Sequence, residues 1–321
     1  MNRMLWSALV AMLLATGIRV ANATDYAVRQ TWTLDGAGHW DYLDIDAAGQ
    51  RLFVTCGDRL QVLNLVSGKV AGQISGLRRA HGVALAPNLG VGFASSGEAN
   101  SIIVFDLASL QVKREVAVSG ENPDAILYDE GSNKLYSFNG NSSNVSVFDA
   151  ATMVPVATIS LAGKPEFAVS DGSRVYVNIE DKNWIEVIDI ADGRVIEHWP
   201  LAECKEPTGL ALDTAHQRLF SVCGNGVMVV TDARDGRQVA RRAIGKGADA
   251  VVYDATRMTV FSSNGEGTLS AIDQIDADHY TTPISVPTAK GARTMAMDHA
   301  SGRIYLPTLV GQRFTILVAA P

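Results

Sequence analysis

A chain of 321 residues that is 47% hydrophobic and 19% charged, with a net charge of −7 and three cysteines, excludes several classes of protein at once. It is too apolar to stay disordered, too poor in cysteine to rest on a disulfide framework, and mildly acidic, which argues against general nucleic-acid binding.

Residues 1–23 read as a secretory leader. Arg3 supplies the positive start, residues 5–15 the apolar centre, and Ala21-Asn22-Ala23 a cleavage site of the A-x-A kind. The apolar run is short for a bilayer span, and no later stretch approaches that length. A cut after Ala23 would leave residues 24–321 as one domain, periplasmic or secreted, monomeric and without a membrane anchor. Arg3 and Arg19 depart with the leader, so the mature protein is more acidic still.

Residues 26–34 alternate in the manner of a strand and precede the first complete repeat. The repeat itself is clearest over residues 206–245. Four apolar runs of strand length are separated there by turns rich in Gly and Asp, the last at Asp235-Gly236. The residue closing the first run recurs as Asp46, Pro87, Asp129, Asp171, Asp213, Asp254 and Asp298, at a period of about 42 residues. The residue closing the third run recurs at the same period as Asn64, Asp106, Asp149, Asp189, Asp232 and Asp273. A four-stranded meander of this size cannot bury its own faces, so the units must pack on one another. The pattern predicts an all-β, seven-bladed β-propeller of four-stranded antiparallel blades, beginning near His39, His81, Asn122, Lys164, Glu206, Gly247 and Gly291. The last unit offers three strands (294–297, 303–307 and 313–318) before the chain stops. The strand over residues 26–34 is therefore its expected fourth, which closes the ring and hides an edge.

First strands carry small residues (Gly82, Ala84, Ala125, Ala168, Gly209, Ala250, Ala296), as crowding near the axis requires. Second strands are bulkier, as in Leu52-Phe53-Val54, Val175-Tyr176-Val177 and Ile304-Tyr305-Leu306. Ser67-Gly68 and Asp192-Gly193 suit tight turns after the third strand, where the closing Asp or Asn is expected to accept turn amides.

Three second strands carry a further resemblance. Arg174-Val175-Tyr176-Val177-Asn178, Arg51-Leu52-Phe53-Val54-Thr55 and Lys134-Leu135-Tyr136-Ser137 resemble the Tyr-Val-Thr-Asn signature of the YVTN-repeat (YncE-like) propellers. The likeness spans essentially the whole mature chain, although no unit spells the tetrapeptide in full. It implies the propeller fold and an exported binding platform; no common reaction accompanies the motif. WD-type repeats fit less well, because no Gly-His and Trp-Asp pairing recurs with the period.

Loops entering the first strands and loops joining strands two and three share one face, the mouth of the central channel. Aligned by repeat, Asp41, Gly82, Asp124, Glu166, Thr208, Asp249 and Arg293 are equivalent, with His81 beside them. Four acids brought into a small volume imply a cation, a ligand or raised carboxyl pKa values. Their oxygens suit a divalent cation, and Arg293 suits an anionic group on a small polar ligand. Trp40 and Trp184 are candidates for a stacking wall.

Cys56 and Cys223 end the second strands of the first and fifth units, three blades apart. They are too distant to pair, whereas Cys204 lies on the same face as Cys223. Three free thiols are expected, with a Cys204–Cys223 bridge as the alternative. Cys56, Cys223, His39 and His81 are candidates for a soft metal, but none has the short spacing of an established motif. Neither a G-x-S-x-G elbow nor a phosphate-binding loop occurs. The leading reading is an exported, non-enzymatic scaffold whose mouth binds a small polar ligand or a periplasmic protein partner. The alternatives are a metal-dependent hydrolase or lactonase using the acid ring, and a periplasmic metal or redox accessory protein.

Overall fold

The computed structural model describes residues 23–34 and 39–321, so the leader read over residues 1–23 lies, apart from Ala23, outside the described residues. The period seen in the sequence becomes seven four-stranded antiparallel sheets arranged as the blades of a β-propeller. Blade one shows the plan, with strands Trp40–Asp46, Arg51–Cys56, Arg59–Asn64 and Val70–Ser75 running in order from the axis outwards. The other inner strands are Ala80–Ala86, Pro123–Asp129, Pro165–Ser170, Pro207–Asp213, Ala248–Asp254 and Ala296–Asp298. Among the described residues no helix is long and apolar enough to cross a membrane.

Blade seven is closed by the N-terminal strand. Ala27–Thr33 pairs antiparallel with Arg313–Ala320, outside Arg303–Val310 and Ala296–Asp298. Its inner strand is shorter than the pattern predicts, because the preceding backbone bonds sideways instead. The Arg293 carbonyl accepts the Ala250 N–H at 3.1 Å and the Ser263 hydroxyl, both from blade six. The longer last interval in the repeat is also explained. In blade six an extended connection follows the third strand, with Gln274 bridged to Tyr280 and Arg218 reaching the Ala277 carbonyl and the Asp278 carboxylate.

Packing explains why the second strands are bulky. Phe53, Phe93, Tyr136, Tyr176, Phe220, Phe261 and Tyr305 occupy the third position of their strands in all seven blades, and all are fully buried. Each wedges between neighbouring sheets and contributes about 2–3 kcal/mol by burial. The tyrosines also carry a polar tip: Tyr305 Oη donates to the Leu65 carbonyl of the next blade, and Tyr176 Oη to Asp171 and the Ala233 carbonyl. Nearer the axis the neighbouring backbones almost touch. A Cβ on Gly82 would lie 2.5 Å from the Asp124 carbonyl oxygen, and one on Gly209 2.8 Å from Ala250 Cα.

The third-strand ladder is a turn device. Asn64 accepts the Val66 and Ser67 amides, Asp106 those of Ala108 and Ser109, Asp149 that of Thr152 and Asp189 that of Asp192. Each turn then ends in a left-handed residue, Gly68 and Gly193 among them.

The thiols differ from expectation. Cys204 and Cys223 form a disulfide, with Cα atoms 5.5 Å apart, and only Cys56 is free. The loop before blade five returns under the end of its second strand, where Pro207 pairs with Cys223, and this brings Cys204 within reach. Denatured, unreduced protein should therefore show one reactive thiol by Ellman titration, and three after reduction; three without reductant would refute the bridge.

Candidate ligand site at the channel mouth

Six of the seven inner strands enter the ring through an irregular first pair, such as the register shifts between Trp40 and Leu43 and between Pro123 and Ile126; Ala296–Asp298 pairs without one. This bulge turns the second and third residues of the strand towards the axis in succession. The register also corrects the sequence alignment in blade two. Ala86, not Pro87, pairs at the strand end with Val91, so His81 rather than Gly82 takes the ring position. The mouth layer is then Asp41, His81, Asp124, Glu166, Thr208, Asp249 and Arg293.

All seven line one cavity of about 320 Å³, together with Tyr42, Arg79, Lys164, Glu180 and Glu206. Several of its charges are paired, and all are crowded. His81 Nδ1 lies 2.7 Å from Asp41 Oδ2 and 3.6 Å from Asp124 Oδ1. Lys164 Nζ lies 2.6 Å from Glu166 Oε1 and also contacts Glu180, while Arg293 Nε sits 3.1 Å from Asp249 Oδ2. Burial and the charge of Asp124 push Glu166 up to about 9, even with Lys164 alongside. Burial, with Asp41 and Asp124 adding to it, pushes Asp249 up to about 7 against the pull of Arg293. Asp124 is raised by burial and by Asp41. Burial opposes the imidazolium of His81, but the Asp41 hydrogen bond and the charges of Asp124 and Asp41 outweigh it and raise its pKa. The mouth thus holds protons that an incoming cationic group would displace.

The floor is aromatic. One residue below the polar ring, the layer reads Tyr42, Gly82, Ala125, Phe167, Gly209, Ala250 and Thr294. The two large members meet across the channel with ring centroids 5.0 Å apart. Burial, with Asp249 and Glu166 next in effect, holds the Tyr42 phenol well above its ordinary pKa, so it faces the cavity as a neutral donor.

The other sequence candidates are elsewhere. Trp40 belongs to the layer above the ring, which is otherwise Ala, Pro and Ala292. It packs on Phe314 of blade seven at 6.0 Å between centroids. Trp184 opens the third strand of blade four and packs on His198 at 5.2 Å. Neither lines the mouth. The soft-metal set is also dispersed: Cys223 is in the disulfide, His39 is exposed, and Cys56 is buried, which pushes its thiol up. Only His81 reaches the cavity. Arg79, Glu180 and Tyr42 were not legible as site residues from the repeat. Arg79 and Glu180 come from loops whose lengths vary, and Tyr42 stands out only when its layer is written as a ring. Lys164 and Glu206 lie in the loops read as mouth-forming.

No family model and no curated protein matches the chain. Solved structures do. A chain of hydrazine synthase from Kuenenia stuttgartiensis superposes with a TM-score of 0.77 at 16% identity, covering 88% of this chain and 96% of that one. A chain of a mitotic checkpoint complex superposes with a TM-score of 0.79 at 14% identity, covering 100% of this chain and 99% of the other. At these identities the likeness carries the seven-bladed fold and nothing about activity.

Proposed function

We propose that the protein is an exported, non-enzymatic binding scaffold of the YVTN-repeat kind, whose channel mouth takes a small polar ligand with a cationic, hydroxyl-bearing part. The observation that carries this reading is the convergence of Asp41, Asp124, Glu166 and Asp249 on one cavity, where two of the carboxyls have pKa values of about 9 and 7. Burying that much negative charge is costly unless something positive is added. Arg293, about half exposed at the rim, is placed to meet an anionic substituent. The leader supports export, and the second-strand motifs support the family.

A second reading places a divalent cation in the same mouth. It is favoured by Asp41, His81 and Asp124, whose nearest ligand atoms all lie within 4.8 Å of one another. Calorimetric titration with glucosamine, and separately with Ca²⁺, Mn²⁺ and Zn²⁺, distinguishes the two. Saturable glucosamine binding with proton release is expected, reduced at least tenfold in the Asp124→Asn/Glu166→Gln double variant. Metal binding alone, abolished in that variant, would replace the first reading with the second. Equal binding by parent and variant would refute the site.

A further inference from the structure

Below the Tyr42–Phe167 floor the channel continues towards the opposite face and changes character. Three residues past the polar ring, the equivalent positions are Asp44, Ala84, Leu127, Val169, Ala211, Val252 and Ala296. Six are apolar and one is a carboxylate. The Tyr42–Phe167 contact divides this part of the channel into two chambers of about 220 and 200 Å³, and Asp44 lines both. The larger is walled by Val251, Val252, Met295 and Met297 and opens beside His299; the smaller is walled by residues of blades two and three.

Asp44 is satisfied only by backbone. Oδ1 accepts its neighbour Ile45 N–H at 2.7 Å, and Oδ2 accepts Leu85 N–H of blade two at 3.0 Å. No Lys or Arg lines either chamber, and no ion pair to Asp44 occurs among the described residues. The other titratable groups around it are Tyr42, Tyr128 and His299, with Asp46 two residues on. The Leu85 bond staples blades one and two, but an amide or hydroxyl oxygen would serve that purpose without a half-buried charge. Burial pushes Asp44 up to about 6, so near neutral pH it remains ionised inside an apolar wall with no cation of its own. Such a charge costs free energy unless it is matched.

We propose that the lower channel is a second site, separate from the mouth, for a small organic ammonium ion with an apolar body. Its N–H groups would bond the free lone pairs of Asp44, and its body would fill the chamber against Val251, Val252, Met295 and Met297. The faces of Tyr42 and Phe167 would add cation–π attraction from above. The chamber volume suits a ligand of benzylamine size, and a polar, hydroxyl-rich cation is excluded because the walls offer it no partners.

The test is titration of the full mature chain with benzylamine, and with neutral benzyl alcohol as its near-isostere, at pH 7.5. Benzylammonium is expected to bind saturably and at least tenfold more tightly than the alcohol. Asp44→Asn, which retains an acceptor for Leu85, should remove that preference. Val252→Phe, which fills the larger chamber without touching the Asp44 staple, should abolish binding should the first variant fold poorly. The mouth variant Asp124→Asn/Glu166→Gln should bind benzylammonium as the parent does. The proposal is overturned if the parent shows no saturable binding, if both chamber variants retain it, or if the mouth variant alone loses it. The last outcome would assign the amine to the mouth and leave that reading standing.

Discussion

A chain lacking residues 24–34 should melt about 10–20 °C below the parent, or aggregate, because that segment closes the ring. Ala27–Thr33 pairs along residues 315–320 of the last strand, and Leu34 N–H adds a bond to the Phe314 carbonyl at 2.8 Å. The segment also contributes packing. Tyr26 lies on Phe261 at 4.6 Å between centroids and donates its hydroxyl to the Gly302 carbonyl, while Trp32 lies on Tyr305 at 5.4 Å and covers Gly68. Burial of two large aromatics and Leu34, with the paired strand, comes to roughly 5–8 kcal/mol, comparable to the whole stability of an ordinary domain. The newly exposed edge of Arg313–Ala320 would offer unpaired N–H and C=O groups to a second molecule. Differential scanning calorimetry with light scattering reads both effects. A truncated protein that is monomeric and melts with the parent would show that the ring does not depend on this closure.

The fold was legible because it is written seven times. Two ladders of turn residues and one of second-strand bulk share a period, and any one blade can be misread without losing the count. Blade two illustrates this: Pro87 follows the strand it appeared to close, and the error shifted one ring position from His81 to Gly82. The site was legible only as far as the repeat carried it. The four ring acids and Arg293 occupy equivalent positions, so symmetry alone brings them together. Placement of the charged groups around the ring follows from loops and side-chain reach, which the period does not encode, so Arg79 and Glu180 were not seen. Trp40 and Trp184 lie off the mouth for different reasons. Trp40 sits one position before the mouth layer, and in a strand one position is enough to turn a side chain away from the channel, whereas Trp184 opens the third strand of blade four, outside the inner strands that carry that layer. The disulfide was within geometric reach from sequence, but which loop folded back could not be read from spacing.

Stability should fall as pH rises from about 5 to 9, and Glu166→Gln should flatten much of that slope. Glu166 has a folded pKa of about 9 and Asp249 one of about 7, both above their unfolded values. A carboxyl raised in this way keeps its proton in the folded state while the unfolded chain has already released it. Its contribution is therefore full below the unfolded pKa and is lost as pH climbs to the folded one. His81, also raised, loses its contribution in the same direction. Carboxylates held low elsewhere, such as Asp232 at about 2 beside Arg234, titrate in acid and leave this window unaffected. The sum is a decline in Tm of about 5–10 °C between pH 5 and 9, of the order of a few kcal/mol for a domain this size. Gln at position 166 can still accept from Lys164, which also retains Glu180, so the variant removes the titration with little change in shape. At pH 5 its Tm should match the parent's, and at pH 9 it should exceed it. A cation bound at the mouth would have the same sign, stabilising the parent most at high pH, where the carboxylates are charged. Parallel Tm profiles for parent and variant would mean that Glu166 is not the proton-holding group, and that the mouth is not under the electrostatic load from which its ligand is inferred.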